Sequence, residues 1–431
     1  MEKAPIINVN TPEILTLSVQ MQTSGELSSI QDEYLYWDKV KYKSKQEDKI
    51  NAWAAIKLQR LINSKFIQFG QYNFSYPTTD FIQRALHQFD LHAGGTLTSN
   101  IGIAETDKSK FMISSIIEES INSSQMEGAS TTRKKAKEMI QKAKKPQNHS
   151  ELMIMNNYIT MQHIVKIKNE DLSVEKLLEI HRLISKGTLE DVQDEGCFRS
   201  NDDIFVANVM KGEVVHQPPK QAELKDLIND LIDFFNTDTK DFIHPVIKGC
   251  IIHFMIGWIH PFADGNGRTA RALFYWYMLK NGYWLTEYLS ISKVIKETKV
   301  QYEKAYLYTE IDGNDLGYFI TYHLKTMIKA YDDLKAYINK KQNEVIQAAK
   351  FIKLDGVNDR MAQIIKIIND DPDRVFNSKE VENRFKISNF TARQDLKALV
   401  SLGFMQEIHV NKKKINYIKS EQFDKLVKAI K

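Results

Sequence analysis

Residues 260–271 read His260-Pro-Phe-Ala-Asp-Gly-Asn-Gly-Arg-Thr-Ala-Arg271, HPFADGNGRTAR. An apolar run, CIIHFMIGWI, leads in, and a helical run, ALFYWYMLK, leads out. Gly265, Asn266 and Gly267 immediately precede the second helix. A helix N-terminus offers free N–H groups and the positive end of a dipole, and glycines let an anion approach the backbone. Arg268 and Arg271 are three residues apart on the first turn, so both guanidiniums point the same way. Paired guanidiniums at such a cradle suit a polyphosphate. Asp264 at the rim can hold a divalent cation together with phosphate oxygens. His260 ends the first helix and can take a proton from an attacking hydroxyl. A base, a metal ligand and an anion hole describe transfer of a phosphorus-containing group.

The surrounding chain is ordinary in bulk. It has 431 residues, 42% hydrophobic and 26% charged, enough for two or three domains. Cys197 and Cys250 lie far apart and form no CxxC pair, which points to a reducing compartment. The start, MEKAPIINVNTPEIL, is not patterned as a secretory signal, and no apolar run reaches the length of a membrane span. A cytoplasmic protein with no membrane partner is the expectation. Residues 357–431 hold 15 Lys/Arg against 10 Asp/Glu, in a chain whose whole net charge is +4. This basic tail suggests an anionic partner, with DNA as the candidate.

Scarce glycine and proline favour a mainly α fold. Helical patterns are read from Gln31 to Phe89, including INAWAAIKLQRLINSKFIQFG, and over 108–122, 133–144, 149–168, 174–186, 221–236, 244–258, 269–280, 292–309 and 316–350. Ile204–His216, IFVANVMKGEVVH, breaks the period and is read as a β-hairpin turning at Lys211-Gly212. In the tail, helices are expected at 361–368, 378–385 and 388–402, and strands at 404–410 and 414–420. Three helices and two strands resemble a winged helix-turn-helix. Arg393, Gln394 and Lys397 on its third helix and Lys412, Lys413 and Lys414 in its wing are the candidate DNA contacts.

HPFADGNGRTAR matches every defining position of the HPFx(D/E)GNGRxxR signature, so the chain resembles the Fic-domain proteins. The resemblance runs through roughly 100–335, including Gly196-Cys197-Phe198-Arg199 before the hairpin and Pro218-Pro219 after it. It implies a Fic-type helical bundle with a β-hairpin flap, and AMP transfer from ATP to a Ser, Thr or Tyr hydroxyl of a target protein. By position, His260 would be the base and Asp264 the Mg²⁺ ligand. Gly265, Asn266 and Gly267 would form the anion hole, and Arg268 and Arg271 would hold the β- and γ-phosphates. The flap, beginning Ile204, Phe205, Val206 and Ala207, would align the target by main-chain pairing.

Upstream, Ser123-Ser-Gln-Met-Glu127-Gly128 matches the family's inhibitory (S/T)xxxE(G/N) pattern. The resemblance implies that Glu127 pairs with Arg271 and displaces the γ-phosphate. The expected organisation is a helical region at 1–100 and a Fic domain at 101–335. Within the latter, an inhibitory helix spans about 108–128 and the flap about 204–216. A helical connector at 336–356 and a winged helix-like domain at 357–431 follow. DEYLYWDKVKYK, residues 32–43, is read as part of a subdomain covering the nucleotide. The expected function is an autoinhibited protein adenylyltransferase, with auto-modification and homodimers within its range. Two alternatives stand beside it. One is a Fic enzyme that removes AMP or transfers another nucleotide. The other is a DNA-binding regulator whose Fic domain senses nucleotide. Tyr302 and Tyr306, where the family carries paired tyrosines, and His253 are read as core.

Overall fold

The computed structural model describes residues 2–93, 105–208, 213–352, 354–409 and 415–428. It divides into two compact units, Met1–Leu334 and Lys335–Lys431.

The first unit begins with α1 (Pro12–Thr23), α2 (Glu26–Glu33), α3 (Trp37–Lys43) and α4 (Lys49–Ile62). The hairpin β1 (Ser64–Phe69) and β2 (Tyr72–Pro77) precedes α5 (Asp80–His92). Helices α6 (Glu105–Met126), α7 (Arg133–Gln141), α8 (His149–Ile167) and α9 (Val174–Ser185) follow. A second hairpin, β3 (Val206–Asn208) and β4 (Glu213–His216), leads to α10 (Leu224–Asn236), α11 (Pro245–Ile259) and α12 (Asn266–Lys280). Then come α13 (Ile291–Glu297), α14 (Lys299–Ile311) and α15 (Gly317–Ile352), whose residues after Leu334 belong to the second unit. Helix starts are set by short polar caps. Thr11, Asp48, Thr79, Thr132, Asn148 and Ser173 each accept a hydrogen bond from a first-turn N–H.

Two helices carry the core. Every residue of α11 except Pro245 and Gly257 is buried, and every residue of α12 except Gly267 and Lys280. A helix apolar all round can only be an interior helix. The pair therefore fixes the short link between them, residues 260–265.

The sequence reading is corrected in two places. The helix expected through 50–70 stops at Ile62, and residues 64–69 form β1 instead. Gly70, at φ +55°, makes the turn, and Ser64 pairs with Pro77 at the far end. The helix expected over 292–309 is two, α13 and α14, parted at Thr298. Of the aromatics of 32–43, Tyr42 is exposed and the other three serve packing. Tyr34, Tyr36, Trp37 and Val40 share a core with Trp53 and Tyr318. The Tyr34 hydroxyl donates to Asp315 at 2.8 Å, and Arg60 Nη1 donates to the Tyr318 hydroxyl at 2.6 Å.

In the second unit, α16 (Asp359–Asp370), α17 (Ser378–Phe385) and α18 (Asn389–Ser401) precede the antiparallel pair β5 (Met405–His409) and β6 (Ile415–Lys419), then α19 (Phe423–Lys428). Phe376 bridges to Tyr417 of β6, adding a third short pairing. Its core gathers Ile364, Ile365, Phe376, Leu396, Leu399 and Tyr417.

Candidate functional site

The link between α11 and α12 is braced almost entirely through backbone groups. His260 caps α11 in the left-handed region, φ +51°, which swings the chain out of the helix. Its Nδ1 lies 3.1 Å from the Gly257 carbonyl oxygen. A carbonyl only accepts, so Nδ1 carries the ring proton and Nε2 keeps its lone pair. Burial lowers the pKa of the ring to about 4, so it is neutral at pH 7. Asn266 closes the loop reciprocally: its Oδ1 accepts from Phe262 N at 3.0 Å and its Nδ2 donates to Phe262 O at 2.8 Å.

The start of α12 is left open for an anion. Its N-cap is Gly265 at φ +84°, which has no side chain to satisfy the first N–H groups. A Cβ at Gly267 would collide with Glu127 Oε1. Arg268 is buried and donates from Nη1 to the Ile184 carbonyl at 3.2 Å. Its Nε has no acceptor among the described residues. Asp264 stands at the rim with its side chain 63% exposed, one oxygen 3.5 Å from Arg268 Nη2.

Arg271, one turn on, makes three hydrogen bonds to Ser123 and Glu127. Its Nε donates to Ser123 Oγ at 2.8 Å, and Nη2 donates to Ser123 O at 3.1 Å and to Glu127 Oε1 at 2.8 Å. Burial alone would raise the Glu127 pKa, but the Arg271 guanidinium outweighs it and holds the carboxyl below its ordinary value. Gly128, at φ +97°, turns the chain away directly afterwards.

Three positions that sequence reasoning missed support this arrangement. His181 of α9 stacks on Phe262 at 3.7 Å between centroids and 2° between planes. Its Nδ1 accepts from Gly196 N at 3.0 Å and its Nε2 donates to the Asp264 carbonyl at 2.9 Å. Burial lowers its pKa to about 4, consistent with a neutral ring. Arg199 donates from Nε to the His260 carbonyl at 3.1 Å, and its N–H donates to the Pro261 carbonyl at 2.9 Å. Its place in Gly196-Cys197-Phe198-Arg199 was the available signal. Glu119 is buried on α6, and its Oε2 accepts from the Tyr275 hydroxyl at 2.9 Å, Ser290 Oγ at 3.0 Å and Ser292 N at 3.0 Å. Glu119, Ser123 and Glu127 are four residues apart, as are Tyr275, Arg271 and Gly267 opposite them. The two helices therefore meet as antiparallel ladders, rung by rung.

The remaining candidates fall as follows. Phe205 is exposed, Ile204 and Val206 are half-buried, and Val206 pairs with His216 in the flap hairpin. Ala207 pairs with Val214. The turn at Lys211-Gly212 lies outside the described residues, as do Lys412, Lys413 and Lys414. Arg393, Gln394 and Lys397 are exposed on one side of α18 while Ala392, Leu396 and Leu399 are buried. His253 is buried in α11, its Nε2 3.0 Å from the Tyr302 hydroxyl and its Nδ1 2.9 Å from His323. Tyr306 stacks on Phe254 at 5.0 Å. Among the described residues no cluster of three or more His, Cys, Asp or Glu side chains is placed to hold a metal ion by itself. No helix among them is long and apolar enough to cross a membrane.

Residues 171–278, which contain this loop, match the Fic/DOC family. The chain is 28% identical over 135 residues to a protein adenylyltransferase Fic of Drosophila willistoni, covering 31% of this chain and 25% of that protein. A protein of the same name from Aedes aegypti is 32% identical over 116 residues, covering 27% and 21%. The chain thus spans about a quarter of the length of the curated relatives it matches. Among solved structures, a Fic family protein from Desulfovibrio desulfuricans G20 superposes with a TM-score of 0.51 at 18% identity, covering 82% of this chain and 99% of that one. C. elegans Fic-1 gives 0.51 at 16% identity, covering 77% and 88%. The signature loop, its bracing and these likenesses agree that residues 171–278 form a Fic domain.

Proposed function

We propose that the chain is an autoinhibited protein adenylyltransferase that transfers AMP from ATP to a hydroxyl of a target protein. The observation that carries this reading is the single cluster of Arg271, Ser123 and Glu127 beside the open N-terminus of α12. The phosphates of ATP would meet the N–H groups at Gly267 and the spare donor of Arg268. The target's hydroxyl oxygen attacks the α-phosphorus, the bond to the bridging oxygen breaks, and pyrophosphate leaves. His260 Nε2 takes the hydroxyl proton. A lone rim carboxylate such as Asp264 suits Mg²⁺, which binds through one or two carboxylates plus substrate phosphates. Bound there, Mg²⁺ would neutralise phosphate charge.

Glu127 competes for the donor that the γ-phosphate needs. With Arg271 engaged, ATP would sit with its α-phosphate out of line for attack. Labelling with α-³²P ATP and Mg²⁺ tests the reading: Glu127→Gly should incorporate label, wild type should incorporate less, and Glu127→Gly/His260→Ala none. Equal labelling of wild type and Glu127→Gly would contradict the brake.

The second unit adds a partner to the proposal. Its helix order, paired strands and exposed Arg393, Gln394 and Lys397 support a winged helix that docks α18 on DNA. Gel-shift affinity falling steeply with salt is the expected result. A cytoplasmic location and a homodimer belong to the same reading, testable by fractionation and light scattering.

A further inference from the structure

His216, the last residue of β4, is buried where the flap hairpin meets the catalytic helices. Its Nδ1 lies 2.7 Å from Glu310 Oε2 on α14. Its Nε2 lies 2.8 Å from the Trp258 carbonyl oxygen on α11. A carboxylate and a carbonyl both only accept. Two such bonds require a proton on each ring nitrogen, which only the imidazolium supplies. Trp258 is two residues ahead of His260, so one end of this clamp holds the final turn of the helix that presents the base. The other ring bond goes to Glu310 of α14, while the His216 backbone pairs with Val206 across the hairpin.

Glu310 faces His216 from α14, and α11 presents the Trp258 carbonyl and, beyond it, His260. Arg199 reaches the same turn by donating to the His260 carbonyl. Glu310 is the carboxylate that balances the ring. The positive charge on His216 opposes protonation of His260, adding to the effect of burial in keeping that ring neutral.

We propose that His216 is a positioning residue for the transfer reaction, a doubly protonated imidazolium that clamps the base of the flap hairpin to the last turn of α11 just ahead of His260. This rests on the function proposed above. Loss of either ring proton turns a lone pair toward an oxygen that also carries one, so one of the two bonds becomes a repulsion. A ring with a single proton keeps only one of the two bonds, so the hairpin base loses its tie to either α14 or α11. Glu310→Leu offers the ring no hydrogen-bond partner, so only the bond to the Trp258 carbonyl can remain.

Long-range ¹H–¹⁵N spectra of histidine-labelled full chain at pH 7 should show two ring protons on His216, assigned by the loss of that signal in His216→Gln. One proton overturns the proposal, and this measurement needs no activity. In the Glu127→Gly background, adding Glu310→Leu should make AMP incorporation about fivefold slower at pH 7, with hydrogen exchange at residues 213–216 at least tenfold faster. Unchanged incorporation, or unchanged exchange, would overturn it. If Glu127→Gly incorporates no AMP, the transferase reading fails, while the spectra and the exchange still decide the state of His216.

Discussion

The loop at 260–266 and the α6 face at 119–127 both line the start of α12, yet they are held in different ways. The loop is tied by Asn266 to Phe262, by His181 to the Asp264 carbonyl and by Arg199 to the His260 carbonyl. Backbone is the partner each time, so none of these ties is one that a phosphate could take over. The α6 face meets Arg271 through Ser123 and through the carboxylate of Glu127. A phosphate oxygen is chemically equivalent to that carboxylate oxygen and can replace it. The difference teaches where regulation can sit: the loop is preorganised, whereas the contact with α6 is exchangeable.

Substitutions can break this contrast from either side. The largest effect is expected on the loop. His260→Ala in the Glu127→Gly background should lower AMP transfer by about 10²–10⁴-fold, the usual contribution of a general base. Glu127→Gly alone should raise initial rates by roughly 5–150-fold, the range of an ordinary coupling energy. Asn266→Ala loses both bonds to Phe262 and leaves its buried backbone groups unsatisfied, costing about 1–3 kcal/mol of stability by thermal unfolding. Glu119→Ala removes the rung that sets the α6 register. It should release the brake only partly, by about fivefold, corresponding to roughly 1 kcal/mol. A fivefold gain equal to that of Glu127→Gly would mean that the ladder acts as one unit.

Acid conditions give a further check. The folded-state pKa of His260 is depressed to about 4, so the ring is neutral above that value. Transfer by Glu127→Gly should therefore fall only as pH drops through about 4. Between the ordinary histidine value of about 6.5 and 4, the unfolded chain binds the extra proton and the folded chain does not. His260 thus makes the fold less stable as pH falls across that window, and His260→Gln should flatten the slope of denaturant midpoints there.

The loop was legible in the sequence because its residues are contiguous and their order is fixed by one helix end and one helix start. The residues that brace it were not. His181, Arg199 and Glu119 lie 61 or more positions away from His260, and a single polar residue on an apolar face carries no period to read. Glu119 in particular looks like a solvated helix position until Tyr275 and Ser292 are brought against it. The hairpin at 64–77 was missed for another reason. Phe66, Ile67 and Phe69 continue the apolar spacing of α4, and only Gly70 marks the turn. In the tail, the cap at Ser388 and the glycine stop at Gly403 marked the ends of α18 in the sequence.

In the proposed function, the transfer machinery and its brake meet on one residue, Arg271. Intact-mass measurement after incubation of wild type and Glu127→Gly with ATP and Mg²⁺, each with a candidate acceptor protein, tests it most directly. A gain of one AMP residue is expected on Glu127→Gly or its acceptor, with far less on wild type. Equal gains in the two proteins, or no gain in either, would contradict it.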